Sequence, residues 1–198
     1  MGWFKLEYSR LAYRLDFAAY GLAVAGLAAW LAWNAPPLVR GELVACVVVG
    51  AVGWTLVEYL LHRFVLHGVQ PFARWHGEHH RRPQALIGTP TVWSATWMLA
   101  GVYLPLRFVF DRWHAGALML GVLAGYLVYS VVHHAIHFDV GRSGWLQRRR
   151  RWHHLHHRGR AAGCYGVSGG WWDAVFATAP TAPTAGPGDR RTKTSGDA

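Results

Sequence analysis

Thirteen histidines stand in this 198-residue chain, and ten of them fall into four spaced groups: His62 with His67, His76 with His79 and His80, His133 with His137, and His153 with His156 and His157. His114, His134 and His154 stand outside the groups. Neutral imidazole suits iron, zinc, copper or nickel, whereas magnesium and calcium want oxygen. Ten nitrogens are too many for one ion, and two ions taking about five each fit the coordination these metals accept. A soluble di-iron bundle takes most of its ligands from Glu, with Glu-x-x-His on its helices, and that pattern is missing here. A haem bundle needs paired His inside its helices, whereas these groups sit at the ends of apolar runs and between them.

Separations of three and four put side chains on one helix face about one turn apart. His76, His79 and His80 are therefore expected to converge, as are His133 with His137, and His153 with His156 and His157. His62 and His67 differ, since five residues at about 100° each leave the two rings roughly 140° apart on a regular helix. Either they flank a cavity and serve different ions, or the helix loosens after Leu61.

The elements that must carry these groups are apolar. The chain is 53% hydrophobic with twelve Trp, and four runs approach the ~20 apolar residues a bilayer crossing needs: 17–33, 43–61, 92–110 and 115–132. Pro105 and Arg107 interrupt the third near its end. The expected fold class is all-α, an integral membrane four-helix transmembrane domain with a cytoplasmic helical His-rich cap, over residues 1–178. Residues 179–198, rich in Pro, Gly and Thr, are expected to be a disordered tail. With the amino terminus in the cytoplasm, every Lys and Arg except Arg40, Arg107 and Arg112 falls on the cytoplasmic side, as the positive-inside rule requires. Every His except His114 falls there too. Both termini and the metal site are then cytoplasmic in a multi-pass membrane protein. The first apolar run ends without a small-residue cleavage site and reads as a retained span. Cys46 and Cys164 lie far apart and imply no disulfide.

Twenty Lys and Arg against ten Asp and Glu make the chain basic. Because the charges flank apolar runs, they read as a belt beside anionic headgroups or a dock for an acidic electron carrier, not as a nucleic-acid surface. Arg63, Arg74, Arg81, Arg82 and the run Arg148 to Arg151 make up the belt. The charge of Arg74, Arg81 and Arg82 is also expected to disfavour protonation of nearby imidazoles. Glu58, one turn before His62, and Glu78 are the candidate acids behind the ligands, each accepting an N–H from a ligand ring. The alternative for both is a surface ion pair.

The stretches EYLLHRFVLHG (58–68), WHGEHH (75–80), GYLVYSVVHHAIHF (125–138), HHLHH (153–157) and GVSGGWWDAVFAT (166–178) resemble the fatty acid hydroxylase / sterol desaturase superfamily, and fatty acid 2-hydroxylases most closely. The resemblance covers about residues 50–178. It implies a four-span membrane domain and a cytosol-facing dinuclear metal site, with oxygen-dependent hydroxylation of an alkyl chain. The cofactor it implies is two iron ions, with zinc able to occupy the site. Its ligands, carried over by motif, are His62, His67, His76, His79, His80, His133, His137, His153, His156 and His157. The implied substrate is a fatty acid or lipid acyl chain reaching the site from the bilayer, with Trp54, Trp93 and Trp97 as candidate lining. Residues 1–16 are too few for the haem domain often fused in eukaryotic members, so electrons are expected from a separate electron-transfer protein. Ser130, His134 and Ala135 depart from residues common in the family. The competing readings are a carotenoid or sterol hydroxylase or desaturase of the same superfamily and, in another class, a non-catalytic membrane metal-binding protein.

Overall fold

The computed structural model describes residues 7–138, 140–158 and 163–180. Among them the chain is helical, with a single isolated bridge between Glu7 and Ile87 and no strand. Helix α1 (Arg10–Asn34) begins at Ser9, whose Oγ accepts from the Ala12 amide at 3.1 Å. Pro36 and Pro37 end it and open the short turn into α2 (Arg40–Leu60). The end of α2 runs on as a π-helical turn, Leu61–Leu66, before α3 (Phe72–Arg81). Helix α6 (Arg112–His137) is capped by Asp111 and α7 (Gly144–His157) by Ser143, each accepting from amides of the first turn. The last element is α8 (Trp171–Val175).

Among the described residues three helices are long and apolar enough to cross a membrane: α1, the continuous run Pro37–Leu66, and α6. Within the chain only 11% of the apolar stretch of α1 is buried, 28% of Pro37–Leu66 and 44% of α6. Large apolar side chains such as Leu22, Val48, Val49, Val52 and Val128 are exposed along these helices, which fits a membrane protein. The third apolar run is helical but broken into α4 (Thr91–Trp97), a π-helical turn (Met98–Tyr103) and α5 (Leu104–Val109), with Pro105 in the first turn of α5. Of the tail expected over 179–198, residues 181–198 lie outside the described residues.

Helices α2 and α6 run parallel and touch through glycine. A Cβ on Gly121 would lie 2.1 Å from the Val47 carbonyl, and one on Gly50 would lie 2.2 Å from that of Leu118. The small residues let the two backbones meet, as between helices in lipid. Above this contact Leu43 packs with Ala117 and Leu120, and below it Trp54 lies against Tyr126 with ring centroids 5.3 Å apart. Helix α1 packs antiparallel on α6, with Trp30 stacked on Trp113 and Tyr20 against Tyr126. Trp54 is thus core, while Trp93 and Trp97 are exposed. Because α2 and α6 are parallel, the π-helical turn after α2, with His62 and His67, and the end of α6, with His133 and His137, finish at the same level.

Candidate metal centre

The π-helical turn decides the question raised by His62 and His67. Bonding from i to i+5 widens the helix, so residues five apart come onto one face. The two rings lie 5.3 Å apart on the same side, and the loosened helix is the alternative that holds. Helix α3 then brings His76 and His80 against them, and α7 adds His156. One candidate ligand atom from each of His62, His67, His76, His80 and His156 lies within 4.8 Å of all the others. A second group with the same property holds His79, His133, His137 and His153. His157 joins its edge, its Nε2 3.0 Å from that of His153. The groups adjoin where His80 and His157 stack, centroids 4.2 Å apart.

His76, His79 and His80 therefore do not face one point as expected, and neither do His153, His156 and His157. Each trio gives an i,i+4 pair to one group and its remaining member to the other. Adjacent residues such as His79 and His80 differ by about 100° around the helix, enough to divide them between neighbouring sites.

Several features test whether metal ions fit. Nε2 atoms face each other at 3.0 Å for His62 with His76, His76 with His80, and His67 with His156. In the second group His137 lies 3.1 Å from His133 and 2.8 Å from His153, again between Nε2 atoms. Metal–nitrogen bonds of about 2.0–2.1 Å put ligands at right angles about 2.9 Å apart, and tetrahedral ligands about 3.3 Å apart. Nitrogens this close fit ligands that share an ion. His62 Nδ1 donates to the Tyr165 carbonyl at 2.5 Å and His156 Nδ1 to that of Gly163 at 2.9 Å. A carbonyl can only accept, so both rings carry their proton on Nδ1 and turn a bare Nε2 inward. Both nitrogens of His79 are buried without a hydrogen-bond partner, an arrangement that costs free energy unless something binds there. The donor set fits transition ions.

Electrostatics favours the ligating form. Burial, reinforced by neighbouring imidazoles, holds His67 and His80 down at about 4 and His79 at about 3. Burial first, then His80, takes His157 to about 2, and His76, His153 and His156 are lowered mainly by burial as well. All are neutral near pH 7. The expected cause, positive charge on Arg74, Arg81 and Arg82, is not the leading one, since these side chains are exposed and burial of the rings comes first.

The two acids expected to touch ligand rings do other things. Glu78 pairs with Arg81 and Arg82 on the surface, with Arg82 Nε donating at 2.6 Å, so the ion-pair alternative holds. Its carboxylate meets guanidinium groups one turn further along its own helix before it can reach a ring. Glu58 is buried and accepts from the Val167 and Ser168 amides at 2.6 and 2.9 Å and from the Ser168 hydroxyl. Asp173, fully buried, was not singled out by sequence. It accepts from the Tyr165 and Gly166 amides at 2.8 and 2.9 Å and from Thr178 Oγ1 at 2.7 Å. The available signal was a lone carboxylate in the aromatic stretch GGWWDAVF. Arg149 departs from the belt, since it is buried with its guanidinium 4.1 Å over the Trp152 ring. Of the remaining histidines, His134 Nδ1 meets the Tyr13 hydroxyl at 3.1 Å, and His114 pairs with Asp111 and Glu42 far from the centre.

Known proteins resemble the chain in sequence and in fold. The sequence profile described as fatty acid hydroxylase matches residues 47–178. The chain is 31% identical to dihydroceramide fatty acyl 2-hydroxylase FAH2 of Arabidopsis thaliana over 145 residues, covering 68% of this chain and 60% of that protein. It is 33% identical to the fatty acid 2-hydroxylase of Rattus norvegicus over 144 residues, 66% of this chain and 38% of the relative. With ceramide very long chain fatty acid hydroxylase SCS7 of Saccharomyces cerevisiae it shares 30% identity, over 72% and 41% of the two chains. The chain thus spans between 38% and 60% of the length of these relatives. A solved structure of full-length scs7p, of which only the hydroxylase domain is visible, superposes with a TM-score of 0.74 at 24% identity, covering 86% of this chain and 67% of that one. The profile match contains all ten grouped histidines together with Glu58 and Asp173, and the chain belongs to the fatty acid hydroxylase family.

Proposed function

We propose that this chain is a membrane-bound dinuclear-metal oxygenase that hydroxylates the acyl chain of a fatty acid or lipid, using O2 and electrons from a separate protein. The observation that carries the reading is the convergence of two histidine groups at the common end of two parallel apolar helices. His62, His67, His76, His80 and His156 would hold one ion, and His79, His133, His137, His153 and His157 the other. Two iron ions, for which zinc can substitute in a purified sample, would supply oxygen activation and attack on an unactivated C–H bond, chemistry no side chain can provide.

The chain's own contribution is placement. The Tyr165 and Gly163 carbonyls fix the tautomers of His62 and His156, and His62, His79, His153 and His156 are held buried among the other rings. Four crossings, formed by 17–33, 43–61, 92–110 and 115–132, leave both termini and the centre on the cytoplasmic side. An acyl chain then reaches the site laterally from the bilayer, while the exposed Arg74, Arg81, Arg82, Arg148 and Arg151 face an acidic electron donor. Residues 1–178 form the working domain and 179–198 a tail.

The relatives' names favour acyl chains over carotenoids or sterols. Lipid analysis of cells with and without the chain tests this. The proposal expects one added oxygen on acyl chains. Oxygen on isoprenoids, or loss of two hydrogens, assigns a different reaction of the same centre. Metal uptake with no oxygen consumption when a reductant is supplied makes the chain a binding protein instead.

A further inference from the structure

The loop from Gly163 to Ser168 is held by every amide after its first residue. Cys164 N donates to the Thr178 carbonyl at 2.9 Å, Tyr165 and Gly166 to Asp173, and Val167 and Ser168 to Glu58. Two buried carboxylates from positions 58 and 173 thus grip four consecutive N–H groups. Gly163, at φ +153°, passes so close to the Thr178 carbonyl that a Cβ there would lie 2.4 Å from its oxygen. What the clamp leaves free are carbonyls, and those of Gly163 and Tyr165 each accept from a ring of the His62 group. The other group has no counterpart among the described residues. Nδ1 of His79, His153 and His157 is buried and without a hydrogen-bond partner.

We propose that the two metal positions are unequal, and that Glu58 and Asp173 are the positioning residues that make them so. By holding the loop they present two carbonyls that orient His62 and His156 and raise the basicity of their inward nitrogens, so the His62 group binds its ion more tightly and releases it more slowly. Outer partners of this kind are worth about 10–100-fold in metal affinity. The inference rests on the two-ion reading above.

The test uses the full chain in detergent, loaded with Zn2+ and challenged with a chelating dye that reports release. Two phases of equal amplitude are expected, separated by about 10–100-fold in rate. His156→Ala removes the slow phase and His153→Ala the fast one. Asp173→Asn and Glu58→Gln speed the slow phase by about the same factor and leave the fast phase unchanged. Should either variant fail to fold, Ser168→Ala removes only the hydroxyl on Glu58 and produces a smaller acceleration of the same phase. Release of both ions at one rate from the unaltered chain, or a carboxylate variant that speeds the fast phase, overturns the inference. Loading of at most one zinc ion per chain sinks the two-ion reading itself.

Discussion

In the His62 group α2 and its π-helical turn contribute the pair His62 and His67, α3 the pair His76 and His80, and α7 the single His156. In the His79 group α6 contributes His133 and His137, α7 the pair His153 and His157, and α3 the single His79. One long helix, one short helix and one borrowed ring build each group, and the short helices exchange their third histidine. Neither group is complete unless both short helices dock, so the two candidate ion positions share one scaffold while each keeps its own set of rings. The difference lies outside the rings, where one group leans on backbone carbonyls and the other leaves buried nitrogens without partners.

Loss of a shared ring should have the largest effect. His79→Ala or His156→Ala removes a ligand that one short helix lends to the opposite group. Metal content should fall from two ions to about one, and product formation should drop by more than the ~10–100-fold typical of outer-sphere changes. Mass spectrometry of metals alongside product assay checks this. Undiminished hydroxylation would strike the residue from the ligand set.

Next comes the scaffold the groups share. Gly121→Leu would drive side-chain atoms into the Val47 carbonyl and the α2 backbone. The expected cost is at least the ~1–3 kcal/mol of ordinary overpacking, read as a lower melting temperature in detergent. Both ions should be lost together, because α2 and α6 carry one pair each. Loss of a single ion would show that one group keeps its place without the α2–α6 contact.

Acidification of the metal-free chain should act more gently and on both groups. His67 and His80 of the His62 group are held at about 4 and His79 of the other group at about 3, below the ~6.5 of an unfolded chain. The unfolded state therefore binds more protons, and stability is lost as pH falls from about 6.5 towards 4. Thermal melts at pH 7.5 and pH 5 should show the lower midpoint at pH 5. A midpoint that rises on acidification would contradict burial of neutral imidazoles. The smallest effect is expected from Glu78→Gln, whose surface pairing with Arg81 and Arg82 leaves both groups untouched. Metal content and melting temperature should not change, in contrast to Glu58→Gln.

Much of this arrangement is legible in the sequence because helical periodicity is local. Apolar runs and i,i+4 histidine pairs need only the next turn to be meaningful, and α1, α2 and α6 fall where hydropathy puts them. The π-helical turn is harder, since nothing in LHRFVL (61–66) distinguishes a widened turn from a regular one. The sequence leaves His62 and His67 with two arrangements, and packing chooses. Division of each trio between groups is also a tertiary matter, fixed by how α3 and α7 dock. The carbonyl clamp is least legible of all. Glu58 meets amides of Val167 and Ser168 across more than a hundred residues, so a search for ring partners near the histidines finds Glu78, which the arginines beside it have already taken.

The central claim is that ten histidines hold two ions, five to each. Metal analysis of the purified chain after anaerobic reconstitution with ferrous iron tests it most directly. The account predicts two ions per chain in the unaltered protein and about one in His156→Ala. A single ion in the unaltered protein, or two still present in the variant, would contradict it.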